Sequence, residues 1–147
     1  LRTFEELKTF LLNHDFFHSM LTIDLKQTDL STSDEIKAAD NYVQELGLAP
    51  LGAGWKELDK AAAEDSLTQL LHLSQAYHDE LLPLSTAQEL AHFFLGLFDS
   101  YNASFYSNGI FGPSSSSWNP LTESTFDKAV LVMDHEAIGI ICVEDED

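Results

Sequence analysis

The strongest constraint on the fold lies in residues 125–147, TFDKAVLVMDHEAIGIICVEDED. Two apolar runs rich in β-branched residues, Ala129-Val130-Leu131-Val132-Met133 and Ile138-Gly139-Ile140-Ile141-Cys142-Val143, flank a polar connection, Asp134-His135-Glu136. β-Branched side chains favour extended backbone, and a polar break between two such runs is the pattern of a β-hairpin. The second run ends in four acids, Glu144, Asp145, Glu146 and Asp147. Upstream the pattern reads as helix or loop, so this hairpin is expected to be the floor on which the helices pack. The predicted fold is a single α+β domain over residues 1–147. It has four or five helices packed on a small antiparallel sheet built from the C-terminal hairpin.

The helices are read from apolar spacing and capping residues. Thr3 and Glu6 have capping-box spacing, and Phe4, Leu7, Phe10, Leu11, His14, Phe17 and Leu21 follow at helical intervals. This predicts a helix over 4–13 and leaves open a kinked continuation to Met20. Leu21, Ile23 and Leu25 alternate with polar residues, which allows a short strand. Thr32 and Glu35 repeat the capping spacing before a helix that stops at Gly47. Residues 55–63 are rich in helix formers, and Leu67, Leu70, Leu71, Tyr77 and Leu81 continue the stripe until Pro83. Ser85 and Gln88 open the next helix, whose run His92-Phe93-Phe94-Leu95-Gly96-Leu97-Phe98 is apolar nearly all round and therefore expected to be buried. Residues 101–119 alternate aromatics with Ser, Asn, Gly and Pro and include the run 114–117 of four serines. They read as a long loop of the kind that is functional or mobile.

Charge sets the partner class. Seven Lys+Arg stand against 25 Asp+Glu, for a net charge of −18 at pH 7. Phosphate binding needs Lys and Arg, so nucleic acid and anionic membrane are excluded as direct ligands, and a basic protein partner is favoured. The charges are also unevenly placed. No Lys or Arg occurs between Lys60 and Lys128, a segment that carries Glu64, Asp65, Asp79, Glu80, Glu89, Asp99, Glu123 and Asp127. No run has the length of a membrane span, Leu1-Arg2-Thr3 has no signal-peptide layout, and the single cysteine, Cys142, allows no intramolecular disulfide. The expected location is cytoplasmic. The absence of an initial Met fits a chain that lacks its true N-terminus.

Motifs that would fix a reaction are missing: there is no GxSxG, P-loop or dinucleotide-binding glycine pattern. No cofactor and no metal site is assigned, and no residue is assigned as catalytic. His14 and His18 share a face at helical spacing, but that face also carries Phe17 and Leu21. A small hydrolase or metal-dependent enzyme working through acidic and His residues is the alternative reading. Asp79 and Glu80, placed at a helix C-terminus, oppose the helix dipole, and a partner's cations would compensate. The partner-binding residues expected from charge are Asp79, Glu80, Asp134, Glu136, Glu144, Asp145, Glu146 and Asp147. Tyr106 and Trp118 are the expected aromatic anchors. Cys142, inside an apolar strand, reads as a buried hydrophobe.

A small acidic chain with a helical body and an anionic hairpin resembles the immunity proteins of bacterial toxin systems. The stretch carrying the resemblance runs from Trp118-Asn119-Pro120 through Thr125-Phe126-Asp127 to Val143-Glu144-Asp145-Glu146-Asp147. The resemblance implies a non-enzymatic inhibitor that neutralises a basic toxin domain, such as a nuclease.

Overall fold

The computed structural model describes residues 1–111 and 116–146. In chain order these form α1 (Phe4–Asn13), β1 (Met20–Gln27), α2 (Glu35–Glu45), a 3-10 turn (Gly52–Gly54), β2 (Lys56–Leu58) and α3 (Lys60–His72). There follow α4 (Leu84–Leu95), β3 (Ser104–Ser107), β4 (Gly109–Phe111), β5 (Ser116–Trp118), β6 (Phe126–Met133) and β7 (Ala137–Asp145). Helix α4 covers Leu84–Leu95. The α+β class and the β6–β7 hairpin match the sequence reading, with Val130 opposite Ile141 at the centre of the ladder. The sheet is larger than that hairpin, however. Five strands in the order β1-β7-β6-β3-β2 form it, every neighbour antiparallel, and β4 and β5 make a separate two-stranded sheet.

Helices cover both faces of the large sheet. On one face α1, α3 and α4 bury Leu7, Leu11, Leu67, Leu71, Leu90 and Phe94 against Ile23, Val130, Val132, Ile141 and Val143. On the other, α2 brings Ala39, Tyr42 and Val43 onto Leu131, Met133, Ile138, Ile140 and Cys142, with Leu48, Trp55 and Leu121 filling in from the loops. Successive strand side chains point to opposite faces, so a strand covered on both sides must be apolar at nearly every position. Gly139 interrupts the apolar run of β7 for a packing reason: a Cβ there would lie 3.0 Å from Phe98 and 3.1 Å from Phe94 ring carbons. Its bare backbone lets the end of α4 settle on β7.

Local chemistry explains where the sequence reading and the structure part. Thr3 caps α1, its Oγ1 accepting from Glu6 N at 3.1 Å. Helix α2 is capped by Asp34 rather than Thr32, and α4 follows Pro83 without a side-chain cap. Residues 56–58 are strand, because Asp59 caps the helix and accepts from Ala62 N at 2.8 Å. Helix α3 stops at His72, so Tyr77 and Leu81 lie beyond it; α1 spans Phe4–Asn13 as read, without the kinked continuation. The expected loop 101–119 contains β3, β4 and β5, although Ser114 and Ser115 of the serine run lie outside the described residues.

Asp127 joins the second face to its loop. It is fully buried and accepts from Leu121 N, Thr122 N, Thr122 Oγ1 and Asn108 Nδ2, the last at 2.8 Å. Asn108 in turn accepts from Ala129 N at 3.0 Å. An Asp127→Asn change swaps one acceptor oxygen for a donor facing N–H groups, leaving buried donors unmet. The expected loss is about 2–4 kcal/mol. Urea denaturation checks this, and a midpoint equal to the parent's would remove Asp127 from this role.

Candidate functional site

Three segments meet at the end of the sheet where β7 finishes and β1 begins. The first is the loop after α1. Asp15 Oδ1 accepts from Phe17 N at 2.8 Å, an Asx turn that holds Phe17 at φ 57 with its ring 66% exposed. The second is the loop after α3, which doubles back at Ser74: Ser74 N donates to Asp79 O at 2.9 Å, and Asp79 N donates to Ser74 Oγ at 3.0 Å. His78, at φ 56, and Tyr77, 58% exposed, lie in this turn. The third is the end of β7.

Asp145 ties the three together. It is buried, accepts from Ser19 Oγ, and accepts from Gln75 N at 2.6 Å. Two histidines hold the same loop from below. A carbonyl can only accept, so His14 Nε2 donates to Leu81 O at 2.7 Å and His72 Nδ1 donates to Leu82 O at 2.8 Å. His14 lies past the end of α1, so the helical spacing that would pair it with His18 is not formed. Among the described residues, no group of three or more His, Cys, Asp and Glu is placed to hold a metal ion.

The acids expected to bind a partner divide between the two ends of the hairpin. Asp79, Asp145 and Glu146 line one shallow hollow with Phe17, His18 and Tyr77, and Glu80 is bridged to Leu73 beside it. The hollow, about 10 Å³, has room for a water molecule and no ligand. Glu144 accepts from Ser124 Oγ and Glu146 from Thr125 Oγ1. Asp134 and Glu136 lie at the far end, about 25 Å away at roughly 3.4 Å per strand residue. Glu136 is exposed, whereas Asp134 is buried and accepts from Asp99 N, Glu136 N and Ala137 N. Asp147 lies outside the described residues.

The two expected aromatic anchors are internal to differing degrees. Tyr106 is buried on the α2 face and donates its hydroxyl to Glu35 at 2.5 Å; burial, with that bond, raises its pKa. Trp118 is half-buried, 5.6 Å from Phe126 and 6.1 Å from Phe111 between ring centroids. The exposed aromatics at the tail end are Phe17 and Tyr77, which the sequence placed on buried helical stripes. The polar stop Asn13-His14-Asp15 was the available signal that the first stripe ended. A larger groove of about 330 Å³ lies between β1 and α2, lined by residues that include Lys26, Asp29, Asp34, Lys37 and Glu45.

Cations are scarce around these carboxylates. Among the described residues, the ion pairs are Lys26–Glu45 at 3.0 Å and His92–Glu64 at 3.2 Å, neither at the tail end. No helix among the described residues is long and apolar enough to cross a membrane. Comparison of the chain with protein-family models, with curated proteins and with solved structures finds no match.

Two buried titratable groups sit under this end of the sheet. Lys128 is 8% exposed, with Nζ 4.5 Å from the Phe111 ring centroid. Burial pulls its pKa down to about 8, and Asp65 opposes the shift. The Cys142 thiol is pushed up, mainly by burial and then by Asp127 and Glu144. Unfolded lysine titrates near 10.4 and cysteine near 8.5. Above about pH 8, unfolded Lys128 keeps a proton that the folded chain has lost, so this group makes stability rise with pH. Above about pH 8.5, unfolded Cys142 loses a proton that the folded chain keeps, so this group makes stability fall. The parent should therefore change little between about pH 8 and about pH 10, whereas Cys142→Ala should gain about 2 kcal/mol over that range. Lys128→Met should lose stability over the same range. Denaturation midpoints across it check both slopes, and two flat single-variant profiles would sink the account.

Proposed function

We propose that the chain is a binding protein that neutralises a basic protein partner, acting as an immunity protein against a bacterial toxin domain such as a nuclease. One observation carries the reading: exposed Phe17 and Tyr77 border the same hollow as Asp79 and Glu146, with no ion pair to Lys or Arg among the described residues. Aromatic rings excluded from water supply affinity, while carboxylates at the rim speed encounter with a cation-rich surface. The strained backbone adds support. Positive φ is uncommon for an aromatic residue or a histidine and costs about 1–3 kcal/mol, so Phe17 and His78 are held where a loop free of other demands would not place them. Glu80, bridged to Leu73, belongs to the same surface, and buried Asp145 lines the hollow beneath it; Glu144 is bonded to Ser124, and Trp118 packs against Phe111 and Phe126 instead. Glu136, at the other end of β6 and β7, is outside it.

The test is co-expression with the product of an adjacent reading frame, followed by stopped-flow association with the purified product. The chain should protect growth, and its on-rate should fall about tenfold or more between 50 and 500 mM salt. Neutralising Asp79, Glu80 and Glu146 together should lower the on-rate. Phe17→Ala and Tyr77→Ala should mainly raise the off-rate, with stability unchanged within about 0.5 kcal/mol because both rings are exposed. A salt-independent on-rate, or aromatic variants that bind like the parent, would overturn this surface.

A further inference from the structure

We propose that the partner contributes an extended, lysine- or arginine-bearing segment that adds a sixth strand to the open edge of β1. This deepens the binding reading above and rests on it. The two edges of the sheet differ. Strand β2 has three residues, a common way of blunting an edge, whereas β1 has eight, paired with β7 in unbroken register from Met20↔Glu144 to Gln27↔Ala137 and free of proline.

The ladder itself identifies which groups are open. Thr28 N donates to Glu136 O at 2.9 Å, so the alternate residues Met20, Thr22, Asp24 and Lys26 are the ones bonded to β7. Leu21, Ile23, Leu25 and Gln27 turn their N–H and C=O groups outward. Among the described residues, these groups have no hydrogen-bond partner elsewhere in the chain.

Three features select the occupant. Met20, 65% exposed, starts the strand three residues after Phe17, so an added strand would continue into the tail-end surface. The groove of about 330 Å³ beside β1 offers a pocket for alternate side chains of that strand. Its carboxylates are Asp29, Asp34 and Glu45; of its two cations, Lys26 is already paired to Glu45, leaving Lys37. A long basic side chain fits this lining, with its stem over Leu30 and its charge toward the acids. A second copy fits poorly: antiparallel pairing about the strand midpoint would bring Asp24 near its own image and join two chains of net charge −18.

The probe is an acetylated seven-residue peptide of alternating Lys and Val, titrated into the full chain while amide exchange is followed by NMR. The amides of Leu21, Ile23, Leu25 and Gln27 should exchange about tenfold more slowly with the peptide bound. A peptide N-methylated at alternate residues should give no protection, and alternating Glu and Val should bind far more weakly. Gln27→Pro removes an outward donor without touching the ladder to β7 and should weaken the parent peptide. Unchanged exchange at these four amides, equal binding of the N-methylated peptide, or protection that grows with protein concentration alone would each overturn the edge proposal. Growth protection by Gln27→Pro equal to the parent's would do the same while leaving the toxin-binding reading intact. Loss of protection in the Asp79, Glu80 and Glu146 variant with peptide binding retained identifies the two surfaces as separate contributors and supports the edge.

Discussion

Burial of the β6–β7 ladder on both faces is the constraint from which the rest of the fold follows. Val130 and Ile141 face one layer, and Leu131 and Ile140 face the other. A single helical layer would leave half of this surface in water, at a cost of about 1.5–3 kcal/mol for each large side chain. Three helices supply the first layer. The second has α2 alone, so it is completed by Leu48, Trp55 and Leu121 from irregular segments. Those segments bring backbone N–H groups inward, where each needs an acceptor.

Carboxylates provide those acceptors, which changes what the net charge means. Asp40 accepts from Leu51 N, Gly52 N and Trp55 Nε1, holding the 3-10 turn on α2. Asp127 does the same for residues 121–122, Asp134 for the hairpin turn and residue 99, and Asp145 for the two loops at the tail end. An ionised carboxylate accepts only, at two oxygens, and so suits a turn crowded with N–H donors in a way that Lys or Arg cannot. Several acids that made the C-terminal half look like a uniform anionic surface are therefore internal. The surface field comes from the remainder, including Asp79, Glu80, Glu123, Glu136 and Glu146.

Sequence patterning was most informative where one local signal settled the outcome. The hairpin, α1 and its Thr3 cap were legible because each needs only near neighbours in sequence. Strand β1 was faint because Leu21, Ile23 and Leu25 supply few alternations, and β2 was hidden because Lys56, Glu57 and Leu58 are at home in either structure. The burial of Tyr106 is a matter of register: opposite Leu131, it shares that residue's face and points toward α2. The lengths of α1 and α3 depend on partners far away in sequence. His14 bonds the carbonyl of Leu81, so the loop that gives the candidate surface its shape could not be read from either segment alone.

The surface at the tail end depends on the position of Asp145 in β7. Ile141 and Val143 precede it on the same face and rest against the helices; two residues further on, the strand passes beyond the hydrophobic core, and a carboxylate takes the place of an apolar side chain. Once buried there, it needs donors, and Ser19 and Gln75 bring them from two different loops. Each loop is then fixed close to an exposed aromatic: Phe17 lies two residues before Ser19, and Tyr77 two residues after Gln75. The same buried acid thus sets the backbone and leaves the rings outward, while Glu146, just past the end of β7, is exposed and accepts from Thr125 Oγ1. The step from the last strand residue to the one beyond it is sufficient to separate the buried carboxylate that builds this surface from the exposed carboxylate beside it.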